Sequence, residues 1–494
     1  MNKKTLVAAL LMMTMCVPLF TGCSKDKNGE GESVLWYAPL EGNQDNEMVF
    51  EAVSDKIKES IGVGVNFSTI PLSSYDQKIQ VMNAAMEEMD IVYTSASTNN
   101  YYQNVSTGRI LALDEFLQNE CKELYEQVPD YMWDATKVNG KIYGVPNEQI
   151  VARGLCFLTP KSNIEKLGID VNEYLNVEDN YVAYMDAIEK YLRILKKETG
   201  TYTPTAELWM TSAVHMFKFD PLLGTNLPGA IKVDAEDPYK IVNQYETQEF
   251  KYYIERRAKW VKEGLVQPEI DITVDHLTYL EQGKVAPEFF KQITYKPGIE
   301  TVAKSMRQYD PVVLIKTKPI VTRSSILATL NSVSSFSKNP SNAMKVLQEI
   351  NTNKEAYNLL CYGIEGKHYE KIGDNKIRKI ENSGFDNSRP WALGCSYNLM
   401  IEETDPDDIW EQTKKLNDES IKSPVIGFAP DTTNLTTELA GCKSAIDQYL
   451  KTLVYGVGDT DKVYAEFIEK LKAAGVDKII SELQSQMDEW KKTL

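Results

Sequence analysis

Between residues 34 and 95 the chain switches repeatedly between two hydrophobic periods, and this is the feature that most restricts its fold. Val34-Leu35-Trp36-Tyr37 is a short apolar run. Val49, Val53, Ile57 and Ile61 then recur every four residues, and Val63, Val65 and Phe67 every second residue. The first spacing lines one face of a helix and the second one face of a strand, so the segment reads strand, helix, strand. Tyr75, Ile79, Met82 and Met86 repeat the helical pattern, and Met89-Asp90-Ile91-Val92-Tyr93 reads as another buried strand ending at Thr94-Ser95. Successive β-α-β units imply an α/β chain with parallel strands flanked by helices.

Further along, Ile110 to Asp114 leads into a helix near Glu115-Phe116-Leu117, and Asn139-Gly140 signals a turn before a strand ending at Val145-Pro146. From about residue 150 the rhythm changes. Tyr181 to Lys197 and Thr247 to Glu263 are long amphipathic helices separated by a loop-like stretch at 220–238, as in a second, more helical lobe. Short β-rich runs return near 284–335, among them Val312 to Ile315 and Ile320 to Thr322. Asn339-Pro340 then offers an N-cap with proline at the first helical position, and Asp459 to Trp490 is helical with a break at Gly475. The pattern divides the body into 34–148 plus about 284–335 as lobe 1, 149–283 plus about 336–425 as lobe 2, and about 426–494 as a C-terminal helical region packing on the lobes. A chain of 494 residues is long enough for such a division.

The N-terminus says where the chain resides. Lys3 and Lys4 precede a short apolar stretch, Leu6 to Val17, which is the pattern of a signal peptide over residues 1–22. That stretch falls well short of the roughly 20 residues that span a bilayer. Thr21 and Gly22 directly before Cys23 resemble the bacterial lipobox, which implies cleavage before Cys23 and its acylation with chains such as palmitate. Residues 23–33 are polar and glycine-containing, a flexible tether between the lipid anchor and the folded body.

Charge and motif content exclude several classes. Lys and Arg total 54 against 71 Asp and Glu, a net charge of −17 that repels phosphate backbones and anionic lipid. Nucleic acid is therefore not an expected partner, and the membrane is met through the anchor only. Cys121, Cys156, Cys361, Cys395 and Cys442 show no CxxC spacing, which argues against a disulfide framework or zinc site, with one bridged pair left open. The only histidines are His215, His276 and His368, and HExxH, GxSxG, P-loop and GxGxxG motifs are all missing. The reading is a chain that is not an enzyme, with no metal and no cofactor. Asp459-Thr460-Asp461 reads as a helix N-cap, not a calcium loop.

Several phrases together carry a family resemblance. Gly108-Arg109-Ile110-Leu111-Ala112-Leu113-Asp114 and Val138-Asn139-Gly140-Lys141-Ile142-Tyr143-Gly144-Val145-Pro146 resemble the extracellular solute-binding proteins of carbohydrate ABC importers. Ser337-Lys338-Asn339-Pro340, Ala343 to Leu347, Asn358 to Tyr369 and Gly427-Phe428 resemble the LipO-like branch, with its C-terminal domain of unassigned function. The likeness runs from about residue 20 to the end and departs at Trp391 to Cys395, where a more polar residue than Cys395 is expected. It implies a two-lobed clamshell of the periplasmic-binding-protein type (class II), monomeric and held on the extracellular face of a bacterial, Gram-positive cell membrane. In its cleft it would capture a carbohydrate, an oligosaccharide, for an ABC importer permease.

In an open α/β sheet, ligands bind beyond the carboxyl ends of the strands. Trp36, Tyr37, Tyr93, Ser95, Glu148 and Gln149 are the candidates there, since a pyranose needs flat rings for its C–H face and polar groups for its hydroxyls. Trp209, His215, Trp391, Tyr397 and Asn398 are the candidates from the second lobe and C-terminal part. Two other classes stay open: a surface-anchored glycoside hydrolase, which needs two carboxylates about 5–9 Å apart, and a peptide-binding or adhesion lipoprotein.

Overall fold

The strands Ser33–Ala38, Gly64–Thr69 and Ile91–Thr94 pair in parallel, as the alternating periods require. They belong to a computed structural model that describes residues 33–494 except 175–176, 178, 201–216, 225, 267–290, 302–303 and 305–309. The signal segment and Cys23 lie outside the described residues. Val34, Trp36 and Ala38 share one face of the sheet and are buried beneath the helices Asn46–Ile61, Pro340–Thr352 and Lys354–Tyr362. The helix Leu72–Ala85 covers the other face, setting Tyr75, Ile79 and Met82 against Val92, Tyr93 and Leu330.

Two further strands show how the chain travels. The sheet order is Gly64–Thr69, Ser33–Ala38, Ile91–Thr94, Leu330–Val333, Val145–Pro146, with Leu330–Val333 antiparallel to both its neighbours. More than 180 residues separate the last two in sequence, so the chain leaves this lobe after Pro146 and returns to fill the gap. Before leaving, it turns at Asn139 and Gly140, both in the left-handed region (φ +50° and +77°), which joins Lys137–Val138 to Lys141–Ile142 in a tight hairpin.

The second lobe is antiparallel where it is a sheet. Leu155–Pro160 sits between Lys291–Thr294 and Pro311–Lys316, and Phe219–Pro221, Ala230–Lys232 and Ile241–Val242 form a separate small sheet. The helices Tyr181–Thr199 and Gln248–Lys262 supply Tyr184, Leu192, Tyr253 and Trp260 to its core. Asn180 caps the first, accepting from the Val182 and Ala183 amides at 3.0 and 3.1 Å, and Thr247 caps the second.

Three assignments from the hydrophobic pattern are corrected. The strands Lys291–Thr294 and Pro311–Lys316 pair within the second lobe, although the pattern groups 284–335 with the first. The helices Pro340–Thr352 and Lys354–Tyr362 pack under the first sheet, although 336–425 groups with the second lobe. The C-terminal helices Thr436–Tyr455, Thr460–Ala473 and Val476–Lys491 do not merely rest on the lobes. Their Cys442, Leu450, Phe467 and Leu483 share one core with Phe157 and Trp260. Periodicity tells that an element buries a face and says nothing of which core receives it.

Smaller readings resolve on the same terms. Asp459 caps its helix by accepting from the Lys462 amide at 3.1 Å, and Gly475 breaks the final pair of helices at φ +93°. Pro340 does open its helix, but the Asn339 side chain makes no cap bond. Cys121, Cys156, Cys361, Cys395 and Cys442 are free and buried. Among the described residues no helix is long and apolar enough to cross a membrane.

Candidate functional site

Among the described residues the chain passes between the lobes three times, near 147–154, 317–323 and 420–426. These crossings are stitched to one another. Arg153 and Ile320 exchange backbone hydrogen bonds at 2.8 and 3.0 Å, and Ile320–Val321 pairs in parallel with Ile421–Lys422. Gly154 permits the close approach, because a Cβ there would stand 3.1 Å from the Thr317 carbonyl and from Pro319. Asn417, 2 % exposed on the helix Ile409–Glu419, ties that helix to the first crossing. Its Oδ1 accepts from the Val151 and Ala152 amides at 3.0 and 2.9 Å, and its Nδ2 donates to the Gln149 carbonyl at 2.7 Å and the Tyr397 hydroxyl at 2.8 Å. All of its capacity is used.

The candidate residues from the sequence separate into three groups. Trp36 is fully buried in the first lobe's core, its ring stacked on Phe67 at 5.3 Å, so it packs the core and lines no cleft. Tyr93 and Ser95 are likewise closed off. The Tyr93 hydroxyl donates to the Ala328 carbonyl at 2.9 Å and burial pushes its pKa up to about 12, while Ser95 Oγ accepts from the Ser97 and Thr98 amides. Tyr37 is half-buried, its carbonyl accepting from the Tyr75 hydroxyl at 2.7 Å.

The second group gathers at the hinge. Glu148 is 4 % exposed, and burial raises its pKa against the opposing pull of Gln127, whose Nε2 donates to it at 2.6 Å, and then of Cys395. Gln149 donates to Thr329 Oγ1 at 2.5 Å, and the Trp391 carbonyl accepts from Asn147 at 3.2 Å. The Tyr397 hydroxyl donates to the Gln149 carbonyl at 3.1 Å, and Asn398 to the Asn351 carbonyl at 2.6 Å. These five residues are brought together, Tyr397 by a bond at the first crossing and Glu148 and Asn398 by bonds to first-lobe helices. The third group, Trp209 and His215, lies outside the described residues.

The cavity between the lobes is lined by residues that the sequence did not single out. It encloses about 220 Å³, with Ala96, Asn100, Tyr102 and Ser324 on the first-lobe side and Leu222, Leu227, Thr432 and Leu439 facing them. A mostly apolar wall with a few polar groups is the usual composition of a ligand pocket. The segment 96–102 follows the strand Ile91–Thr94, and the candidates named there from sequence, Tyr93 and Ser95, lie just before the residues that line the cavity.

Beside this cavity lie two buried charged groups from opposite sides. Arg323, 5 % exposed, donates from Nε to the Ala135 carbonyl at 2.8 Å and from Nη2 to the Lys137 carbonyl at 2.7 Å, and its guanidinium sits 5.2 Å from the centre of the Tyr102 ring. Its Nη1 has no hydrogen-bond partner among the described residues, and neither has Oδ2 of Asp220, 1 % exposed on the strand Phe219–Pro221. Burial pushes the Asp220 carboxyl up to about 7, with the Ser423 hydroxyl and then the Arg323 charge drawing it back. Polar atoms left unpaired in this way are uncommon in folded chains. No local sequence signal marks this pair, because their neighbourhood is made by segments about 100 residues apart.

Two lobes that share a stitched pivot and line one cavity are built to close on a solute, and this is the architecture of the two-lobed solute-binding proteins. Comparison with known proteins agrees. Residues 424–492 match a family described as a domain of unknown function, DUF3502. A carbohydrate ABC transporter substrate-binding protein of Streptococcus pneumoniae serotype 4 (strain ATCC BAA-334 / TIGR4) is 28% identical over 486 residues, covering 96% of this chain and 94% of the relative. Lipoprotein LipO of Bacillus subtilis (strain 168) is 19% identical over 408 residues, 78% of this chain and 76% of that one. The crystal structure of the N-glycan transport solute binding protein (NgtS) from Streptococcus pneumoniae superposes with a TM-score of 0.78 at 25% identity, covering 93% of this chain and 99% of that one. Its complexes with Man1GlcNAc and Man5GlcNAc give TM-scores of 0.70 and 0.67. The chain is a homologue of the substrate-binding proteins of carbohydrate ABC transporters, with a DUF3502 domain as the C-terminal part of its second lobe.

Proposed function

We propose that this protein captures an oligosaccharide in the interlobe cavity and delivers it unreacted to the permease of an ABC importer, while an acylated Cys23 holds it at the extracellular face of the membrane. The observation that carries the reading is the cavity lined from both lobes beside the hinge, in a chain whose full length resembles sugar-binding relatives. A ligand touching both lobes favours the closed arrangement by its differential affinity, and about 5.5 kcal/mol moves such an equilibrium from 1:99 to 99:1. Hydrogen bonds worth roughly 1 kcal/mol each, together with apolar contact to Leu222 and Leu227, are of the right size for this. Tyr37, Trp391 and Tyr397 keep partly exposed rings and remain candidates for sugar contact. Asp220 and Arg323 join them as buried groups with spare bonding capacity.

The test is a thermal-shift and affinity screen of mono- and oligosaccharides with peptides as controls. A saccharide at about 100 times its Kd should stabilise the protein by about 2.7 kcal/mol and be recovered chemically intact. Stabilisation by peptides alone, or conversion of the sugar, would remove the reading.

A further inference from the structure

A second depression lies on the first lobe, and its lining differs in kind from the interlobe cavity. It holds about 230 Å³ between the helix Leu72–Ala85 and the segment 99–109, and its wall is dominated by amides: Gln80, Asn83, Asn99, Asn100, Gln103 and Asn104. Asn100 lines this groove and the interlobe cavity alike. Each space is smaller than the roughly 300 Å³ at which ligand pockets begin, while the two in sequence reach that range.

The groove has a fixed floor and a free rim. Asn99 is in the left-handed region at φ +45°, where its amide donates to the Tyr93 carbonyl at 2.8 Å and its backbone N–H to Asp76 at 2.9 Å. Asn104 ties the same turn by donating to the Asn99 carbonyl, the Asn99 side chain and the Asn100 carbonyl at 3.1, 2.9 and 2.9 Å. Gln80 donates to Asp76 at 2.8 Å, so that carboxylate is occupied from two sides. Above this floor the side-chain amides of Asn83 and Gln103 have no hydrogen-bond partner among the described residues, and Gln80 keeps its carbonyl oxygen. A primary amide offers two donors and an acceptor. Amides on a preorganised floor, with the Asp76 carboxylate engaged from two sides and the Arg109 guanidinium donating to the Asn83 carbonyl at 3.3 Å and lying over the Phe336 ring, suit an uncharged ligand rich in hydroxyls, which must donate and accept at once.

We infer that this groove is a second subsite of the same binding surface, taking the outer residues of a neutral oligosaccharide whose inner end lies in the interlobe cavity and whose chain passes over Asn100. The inference rests on the carbohydrate reading and adds ligand length to it. Short sugars occupy the cavity alone; longer ones also reach Asn83 and Gln103.

The experiment compares the affinities of the full chain and of the double variant Asn83→Ala/Gln103→Ala for Man1GlcNAc and Man5GlcNAc by calorimetry. Neither substitution removes a bond that holds the floor, so the melting temperature should not change. The native protein should bind the longer glycan more tightly, and the variant should lose about tenfold for it and less than twofold for the shorter. Equal losses for both, or none for the longer, would overturn the subsite while leaving the carbohydrate reading in place. Failure of the native protein to bind either probe or any sugar of the wider screen would overturn both. Gln103→Asn in place of alanine should recover part of the loss if an amide is what the glycan meets, and recovery by Gln103→Leu instead would overturn the subsite.

Discussion

The hinge and the charged pair beside the cavity are both buried, and they treat polar atoms in opposite ways. At the hinge, Asn417 spends every donor and acceptor on the first crossing and on Tyr397. Beside the cavity, Asp220 and Arg323 each keep a buried atom without a partner among the described residues. A stranded buried polar group costs more than a formed hydrogen bond returns. Saturation therefore suits a pivot that must keep its geometry, and spare capacity suits a surface that has yet to meet something.

The strongest way to break the contrast is at the saturated end. Asn417→Leu strands the Val151 and Ala152 amides, at about 1–3 kcal/mol for each, and leaves the Gln149 carbonyl with the Tyr397 hydroxyl as its remaining donor. Urea denaturation should show a loss of about 3 kcal/mol or more. A loss below about 1 kcal/mol would mean that the pivot does not depend on this side chain.

The pair beside the cavity carries a pH dependence instead. Asp220 has a folded pKa of about 7 against an ordinary 3.8, so its contribution to stability is complete below pH 3.8 and is lost as pH rises through 7. Asp220→Asn removes this titration. The variant should gain on the native protein between about pH 4 and about pH 7 by about 1.4 kcal/mol or more, measured by denaturation at both values. A difference that stays constant across that range would show the carboxyl to be ionised throughout.

The mildest change sharpens the boundary between the two regions. Tyr397→Phe deletes one hydroxyl that donates to Gln149 and accepts from Asn417, and should cost about 1 kcal/mol with sugar affinity unchanged. A tenfold drop in affinity at unchanged stability would move Tyr397 from the pivot to the ligand surface.

Much of the first lobe was legible because its signals are local. Val49, Val53 and Ile57 fall on one buried helix face, and Asn139-Gly140 makes its turn, since period and turn chemistry act over a few residues. The site was legible only in outline. The strand-end rule reached the segment after Ile91–Thr94, yet Trp36 is buried because alternate side chains of a strand face opposite sides and its side lies beneath Pro340–Thr352 and Lys354–Tyr362, helices far away in sequence. Glu148, Gln149, Tyr397 and Asn398 were read from sequence as ligand candidates; their hydrogen bonds tie Tyr397 to Gln149 at the first crossing, and Glu148 and Asn398 to Gln127 and Asn351 of the first lobe.

What the sequence determined alone is the parallel α/β start, the presence of a more helical second part, the acidic surface charge and the kinship to sugar-capturing proteins. Tertiary structure alone decided that Leu330–Val333 would close the first sheet, that the last helices would complete the second core, and that Asp220 would face the surroundings of Arg323. The physical reason is range. Backbone and periodic preferences act between residues a few positions apart, whereas the partner of a buried face or a buried charge is set by which distant segment fills the remaining space.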